Sequence, residues 1–157
     1  MGSRWIRGAV AGLAGGVAWL LGLAVFFGPA QTLLTNPELQ SAKMLAAFAP
    51  GAEGPRMLEA PAIPVVGILG IGLLWGLVYA GIASAWAGAW WKRGLAFGLV
   101  GFTLMVPWFE FYLPWNVLRE PAALVVLELV CWLAVLLLVG VAIAGVDALG
   151  RRRSGRR

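Results

Sequence analysis

Four long apolar stretches, 6–28, 63–86, 95–113 and 122–146, divide this chain, and the basic residues between them fall almost entirely on one side. A hydrocarbon core is about 30 Å thick and a helix rises about 1.5 Å per residue, so each stretch can cross it as a helix. Inside lipid only helices and closed barrels satisfy their own backbone groups, and uninterrupted runs of this length select the helix. Of the 157 residues, 61% are hydrophobic and only 12% charged, which leaves too little polar surface to cover a soluble domain. The expected fold class is therefore all-α integral membrane: one membrane domain, residues 1–157, built as a four-transmembrane-helix bundle.

Charge placement orients that bundle. Arg4 and Arg7 precede the first stretch, Lys92 and Arg93 separate the second from the third, and Arg151, Arg152, Arg153, Arg156 and Arg157 follow the fourth. The opposite side keeps only Lys43, Arg56 and Arg119. By the positive-inside bias both termini are cytoplasmic, in a multi-pass protein of a bacterial-type inner or cytoplasmic membrane. The basic tail, 147–157, follows from the same bias and argues for no nucleic-acid partner. It attracts anionic headgroups at about 1 kcal/mol per basic residue near the surface. The first apolar run exceeds the roughly 7–15 residues of a signal-peptide core, so it reads as a retained span.

Small residues recur every fourth position. The first stretch carries Gly8, Gly12 and Gly16; the second carries Gly72, Gly76 and Ala80; the third opens with Gly94 and Gly98; the fourth holds Gly140 and Ala144. Residues four apart share a helix face, and a flat face in lipid lets two backbones approach. Such faces serve either packing inside the bundle or docking onto other membrane-protein helices, a second copy included. Short connections at 86–93 and 114–121 make sequential helices antiparallel neighbours. The outer loop, 29–62, is the one sizeable non-spanning segment. There Asn36 followed by Pro37 and Glu38 reads as a helix start, and Leu39, Ala42, Leu45, Ala46 and Phe48 as a short amphipathic helix on the membrane surface.

Chemistry has few places to sit. Among the nine tryptophans, Trp19, Trp75 and Trp132 fall near mid-membrane. They either fill gaps and face lipid, or line a site for a flat apolar ligand such as a quinone, carotenoid, chlorin or sterol-like lipid. Glu110 and Glu128 are intramembrane carboxyls in the outer half, and neither is tolerated as a charge facing lipid. Arg119, in the turn between them, is the expected partner, with Arg56 of the outer loop second. Together these four residues would make a polar clasp, or a site for a ligand or a proton. Asp147 at the inner boundary is solvated or paired with Arg151, four residues on.

What is missing narrows the function. The chain has no His and one Cys, which removes imidazole and thiolate metal sites, histidine relays and Ser-His catalysis. Two carboxylates are few for calcium, no glycine-rich loop leads into a Lys, and no motif names a cofactor. Within the spans Ser84, Thr103 and Tyr79 are almost the only uncharged polar side chains, too few to line a wet path. The expectation is a non-catalytic membrane protein, either an accessory subunit of a larger assembly or a binder of an apolar lipid-like or pigment-like molecule. The alternative is a small proton-coupled transporter or carrier centred on Glu110 and Glu128.

Overall fold

The computed structural model describes residues 2–47, 49, 60 and 62–154, and all their regular structure is helical. Helix α1 is Gly2–Gly22, followed by a π-helical turn Leu23–Phe27 and α2, Gly28–Leu34. After the short α3, Ala42–Ala47, comes α4, Ala62–Ile82, closed by a 3-10 turn Ala83–Ala85. Helix α5, Trp90–Glu110, runs on as a π-helical segment Phe111–Val117, and α6 is Ala122–Ser154. Four continuous helical segments are long and apolar enough to cross a membrane: Arg4–Leu34, Ala62–Ala85, Trp90–Val117 and Ala122–Arg152. The chain is a multi-pass, all-helical bundle.

Three helix ends lie beyond where the apolar runs stop. The first span was expected to end at 28, before Pro29, yet it continues to Leu34. Pro29 sits in the first turn of α2, where its missing N–H has least effect. The turn before it is widened, with the Gly28 N–H donating five residues back to the Leu23 carbonyl. Likewise the third span, expected to end at 113, passes through Pro114 by the same widening, and the Leu118 N–H donates to the Leu113 carbonyl at 2.9 Å. A π-turn reroutes backbone bonds that a proline would otherwise break. The fourth helix does not give way to a tail at 147 but continues to Ser154, supported by the Asp147–Arg151 pair one turn apart.

Packing begins with the glycine rows. Those of α1 and α4 face each other: a Cβ on Gly12 would stand 2.5 Å from the Gly72 carbonyl oxygen and 2.7 Å from the Leu73 Cα. A Cβ on Gly72 would lie 2.6 Å from the Gly16 Cα, and one on Gly76 would collide with the backbone of Gly8 and Gly12. Helices α5 and α6 meet the same way, with Gly94 against the Gly140 carbonyl and Gly98 against the backbone of Leu136. These glycine rows are thus engaged in contacts inside the chain. Helix α1 also packs on α6, where Gly15 accommodates Ile143 and Gly22 accommodates Val135. Val135, Leu136, Val139, Ile143 and Ala144 of α6 are completely buried and form the core.

The resulting order across the bundle is α4, α1, α6, α5, all neighbours antiparallel. The short connection 83–89 does not make α4 and α5 close neighbours, contrary to the expectation from its length. Their backbones stay apart because Trp75 of α4 is laid over Gly101 of α5. Gly88, at φ 97°, supplies the left-handed turn that lets this connection reverse.

A test follows from the glycine contacts. Gly76→Leu should lower bundle stability by about 1–3 kcal/mol or more, since the facing atoms are backbone and cannot repack. Gly67→Leu, on the same helix with nothing within 4 Å, should be near neutral. Thermal unfolding of both variants in a neutral detergent, followed by circular dichroism, checks the contrast.

Candidate functional site

Trp19, Trp75 and Trp132 come together. Trp19 of α1 is buried, and its ring meets Trp75 of α4 at 5.6 Å and Trp132 of α6 at 6.2 Å, both edge to face. The contacts continue from Trp132 to Phe27 at 4.9 Å, and from Trp75 to Phe97 at 5.4 Å. Phe97 in turn meets Tyr79 at 5.2 Å and Trp86 at 5.9 Å. Edge-to-face pairs of this kind contribute about 0.5–1.5 kcal/mol beyond the area they bury. This ladder joins all four spans and fills the space that the two glycine-mated pairs leave between them.

Beside its outer part lies a cleft of about 330 Å³, lined by Trp19, Trp132, Leu136, Glu110, Leu104 and Trp108 among others. Leu104 and Trp108 are 75% and 66% exposed, so the cleft opens on the lipid-facing side of the bundle. Glu110 is the acid in its wall. Its side chain is 1% exposed, and Oε2 is buried without a hydrogen-bond partner among the described residues. Its carboxyl faces that of Glu128 and the indole of Trp132, which share one face of α6 at four residues' spacing. Glu128 itself is half-buried. The Cys131 thiol, adjacent to Trp132, donates to the Phe26 carbonyl at 3.5 Å and ties α6 to the widened turn of the first span.

The partner expected for these acids is not there. Arg119 is exposed, adopts a left-handed backbone at φ 58°, and makes no ion pair among the described residues. Arg56 lies outside the described residues, as do Phe48 and most of the loop around it. A clasp between the outer loop and the α5–α6 turn does exist, but other residues build it. The Ser41 hydroxyl donates to the Leu118 carbonyl at 2.6 Å, the Ser41 N–H donates to Glu120 Oε1 at 3.2 Å, and Lys43 Nζ donates to the Val117 carbonyl at 3.2 Å. Glu120 is 5% exposed in consequence.

Ser41 also corrects the start of the loop helix. Its Oγ accepts the Met44 N–H at 3.0 Å, so it, not Asn36, caps α3. Asn36 Oδ1 accepts the Glu38 N–H at 3.0 Å and forms a local turn instead. The signal that could have found this was a serine directly before the run Ala42–Ala47.

A second polar centre occupies the end of the bundle that carries both termini. Asp147 of α6 is 3% exposed; it accepts from Arg151 Nε at 2.7 Å and pairs with Arg7 Nε of α1 at 3.9 Å. Gly150 leaves room for this, since a Cβ there would stand 2.8 Å from Arg7 Cδ. The buried hydroxyl of Tyr79 on α4 lies in the field of Arg93, Asp147 and Arg151. Every span thus contributes to this centre. Nearby, Arg4 donates to the Ala80 and Gly81 carbonyls, each at 2.6 Å, and satisfies the open end of α4 where its dipole favours a cation. The Asp147–Arg151 pair was legible from spacing; Arg7, Arg93 and Tyr79 were not, because they arrive from other helices.

Among the described residues no three His, Cys, Asp or Glu side chains gather as a metal site would require. In comparison with known proteins, the chain matches no family model, no curated sequence and no solved structure. Function therefore has to be argued from the site alone.

The Asp147 centre generates a prediction. Asp147→Asn should cost on the order of 2 kcal/mol, because it removes the buried negative charge that pairs with Arg151 and Arg7. Combined with Arg7→Gln the losses should be less than additive. A double-mutant cycle by thermal unfolding checks this; strict additivity would show that Arg7 and Asp147 do not interact.

Proposed function

We propose that the protein is a non-catalytic membrane protein that holds a flat, apolar, lipid-like molecule in the cleft beneath Glu110. The observation that carries this reading is the cleft itself: two tryptophan rings and a buried carboxyl in a wall that is otherwise apolar, open on the lipid side. A molecule dissolved in the bilayer reaches such an opening by lateral diffusion and never crosses water. Rings on Trp19 and Trp132 supply contact area with little loss of side-chain freedom. No nucleophile paired with a base lies at the cleft, so binding rather than chemistry is its role. An accessory role in a larger assembly is compatible with this, but any docking face must lie outside the glycine rows already engaged between α1 and α4.

Native mass spectrometry on protein released gently from its own membranes tests the proposal. A single retained small molecule is expected, lost in Trp132→Ala; a protein that never carries extra mass would count against it. Co-purifying heavier chains would identify the assembly in the same spectrum.

One observation favours a second reading, a small proton-coupled carrier: Glu110 and Glu128 face each other, with no basic residue beside them among the described residues. Under it, Glu128→Gln in proteoliposomes should fold normally and abolish pH-dependent flux of a bound substrate. Unchanged flux would remove this reading and leave the first intact.

A further inference from the structure

The end of the bundle that carries both termini holds more positive charge than its own acids balance. Asp147 is the one acid there among the described residues, and Arg7 and Arg151 pair with it. Arg4 is taken up by the carbonyls that end α4, and Arg93 is half-buried, with Tyr79 in its field. Arg152 is exposed and makes no ion pair among the described residues. It stands over a groove of about 210 Å³, walled by Trp90 of α5 and by Gly145, Ala148 and Leu149 of α6. Spacings of three and four put these α6 residues and Arg152 on one helix face. Leu149 is 60% and Trp90 36% exposed, so the groove is open to the surroundings. Gly145 keeps it clear, because even a Cβ there would stand 3.3 Å from the Trp90 ring. The level of the groove is informative. The apolar run of α6 stops at Val146, and Arg152 lies about 10 Å along the axis from Gly145, so the groove crosses from hydrocarbon into the headgroup layer.

We propose that this groove seats one anionic phospholipid, its phosphate on Arg152 and the start of an acyl chain between Trp90 and Leu149. Charge complementarity selects the occupant. A cation without a counter-ion, set above an apolar floor at the membrane boundary, matches a molecule that is anionic at the top and apolar below. A soluble anion gains nothing from the floor. A zwitterionic lipid carries its own ammonium beside the phosphate, which weakens the attraction. The site lies at the opposite end of the bundle from the cleft at Glu110 and does not depend on what that cleft holds. It also differs from the diffuse pull of a basic tail, because it assigns the lipid to one side chain and one groove.

The full-length protein, delipidated in a neutral maltoside detergent, is titrated with dioleoyl-phosphatidylglycerol or dioleoyl-phosphatidylcholine, and bound lipids are counted by native mass spectrometry. The first phosphatidylglycerol is expected to bind about fivefold more tightly than the first phosphatidylcholine, the effect of one basic residue at the surface. Arg152→Gln, an exposed change that leaves the fold alone, should erase this preference. Gly145→Leu, which fills the groove, should weaken the first binding step of both lipids. The paired change Arg156→Gln and Arg157→Gln should leave the preference in place. Equal affinity for the two lipids in the wild-type protein overturns the proposal. So does a preference that survives Arg152→Gln, or one that disappears in the paired tail variant, since either assigns the lipid to the tail. Inorganic phosphate at the lipid's own concentration should displace nothing; displacement would mark a site for free anions and overturn the assignment to lipid.

Discussion

Backbone contact between glycine rows is the interaction on which the rest of this bundle depends. Lipid tails are as apolar as leucine, so no hydrophobic force drives helices together once they are inserted; close van der Waals contact has to do it. Gly8, Gly12 and Gly16 against Gly72 and Gly76, and Gly94 and Gly98 against Gly140, bring two pairs of helices to a separation that any side chain would prevent. Helix α6 then joins the pairs through a conventional interlock of Val135, Val139 and Ile143 with α1. Because α1–α4 and α5–α6 are each drawn tight, α4 and α5 cannot also close. The gap between them takes the largest side chains the chain possesses. The aromatic ladder and the cleft beside it are therefore consequences of where the glycines lie.

The same architecture segregates charge. The arginines at the end bearing both termini find Asp147, two backbone carbonyls at the end of α4, and one another's company around Tyr79. At the opposite end the acids outnumber their partners. Glu120 is satisfied by Ser41, which fastens the loop before α4, but among the described residues Glu110 and Glu128 meet each other and an indole. Among the described residues, no span brings a basic side chain to these two carboxyls.

Prolines were the points at which local reading of the chain misled most. Pro29 and Pro114 each looked like the end of a span, since proline in a regular helix removes a donor and clashes with the preceding turn. Each helix instead widens by one residue around the ring and continues. That choice is not visible locally: it depends on whether neighbouring elements hold the chain in line. At Phe26 the neighbour is Cys131, whose thiol reaches a carbonyl of the widened turn. At Leu118 and Val117 it is the outer loop, whose Ser41 and Lys43 take up carbonyls of the turn. Ser41 itself was passed over because Asn36 with Pro37 is the stronger local signal for a helix start.

Hydropathy and glycine spacing, both properties of single segments, were enough to establish four helices long and apolar enough to span a membrane, and their flat faces. Period-four rows define a face whatever that face meets, and an apolar run of sufficient length has one stable conformation in lipid. What only the tertiary structure decided is which faces meet. It matched the first row with the second and the third with the fourth, gathered Trp19, Trp75 and Trp132, turned Glu110 toward Glu128 and away from Arg119, and brought Arg7 to Asp147. Those outcomes depend on how two tight helix pairs share the space between them. That is a property of volumes and of contacts between residues distant in the chain, so no window of sequence contains it.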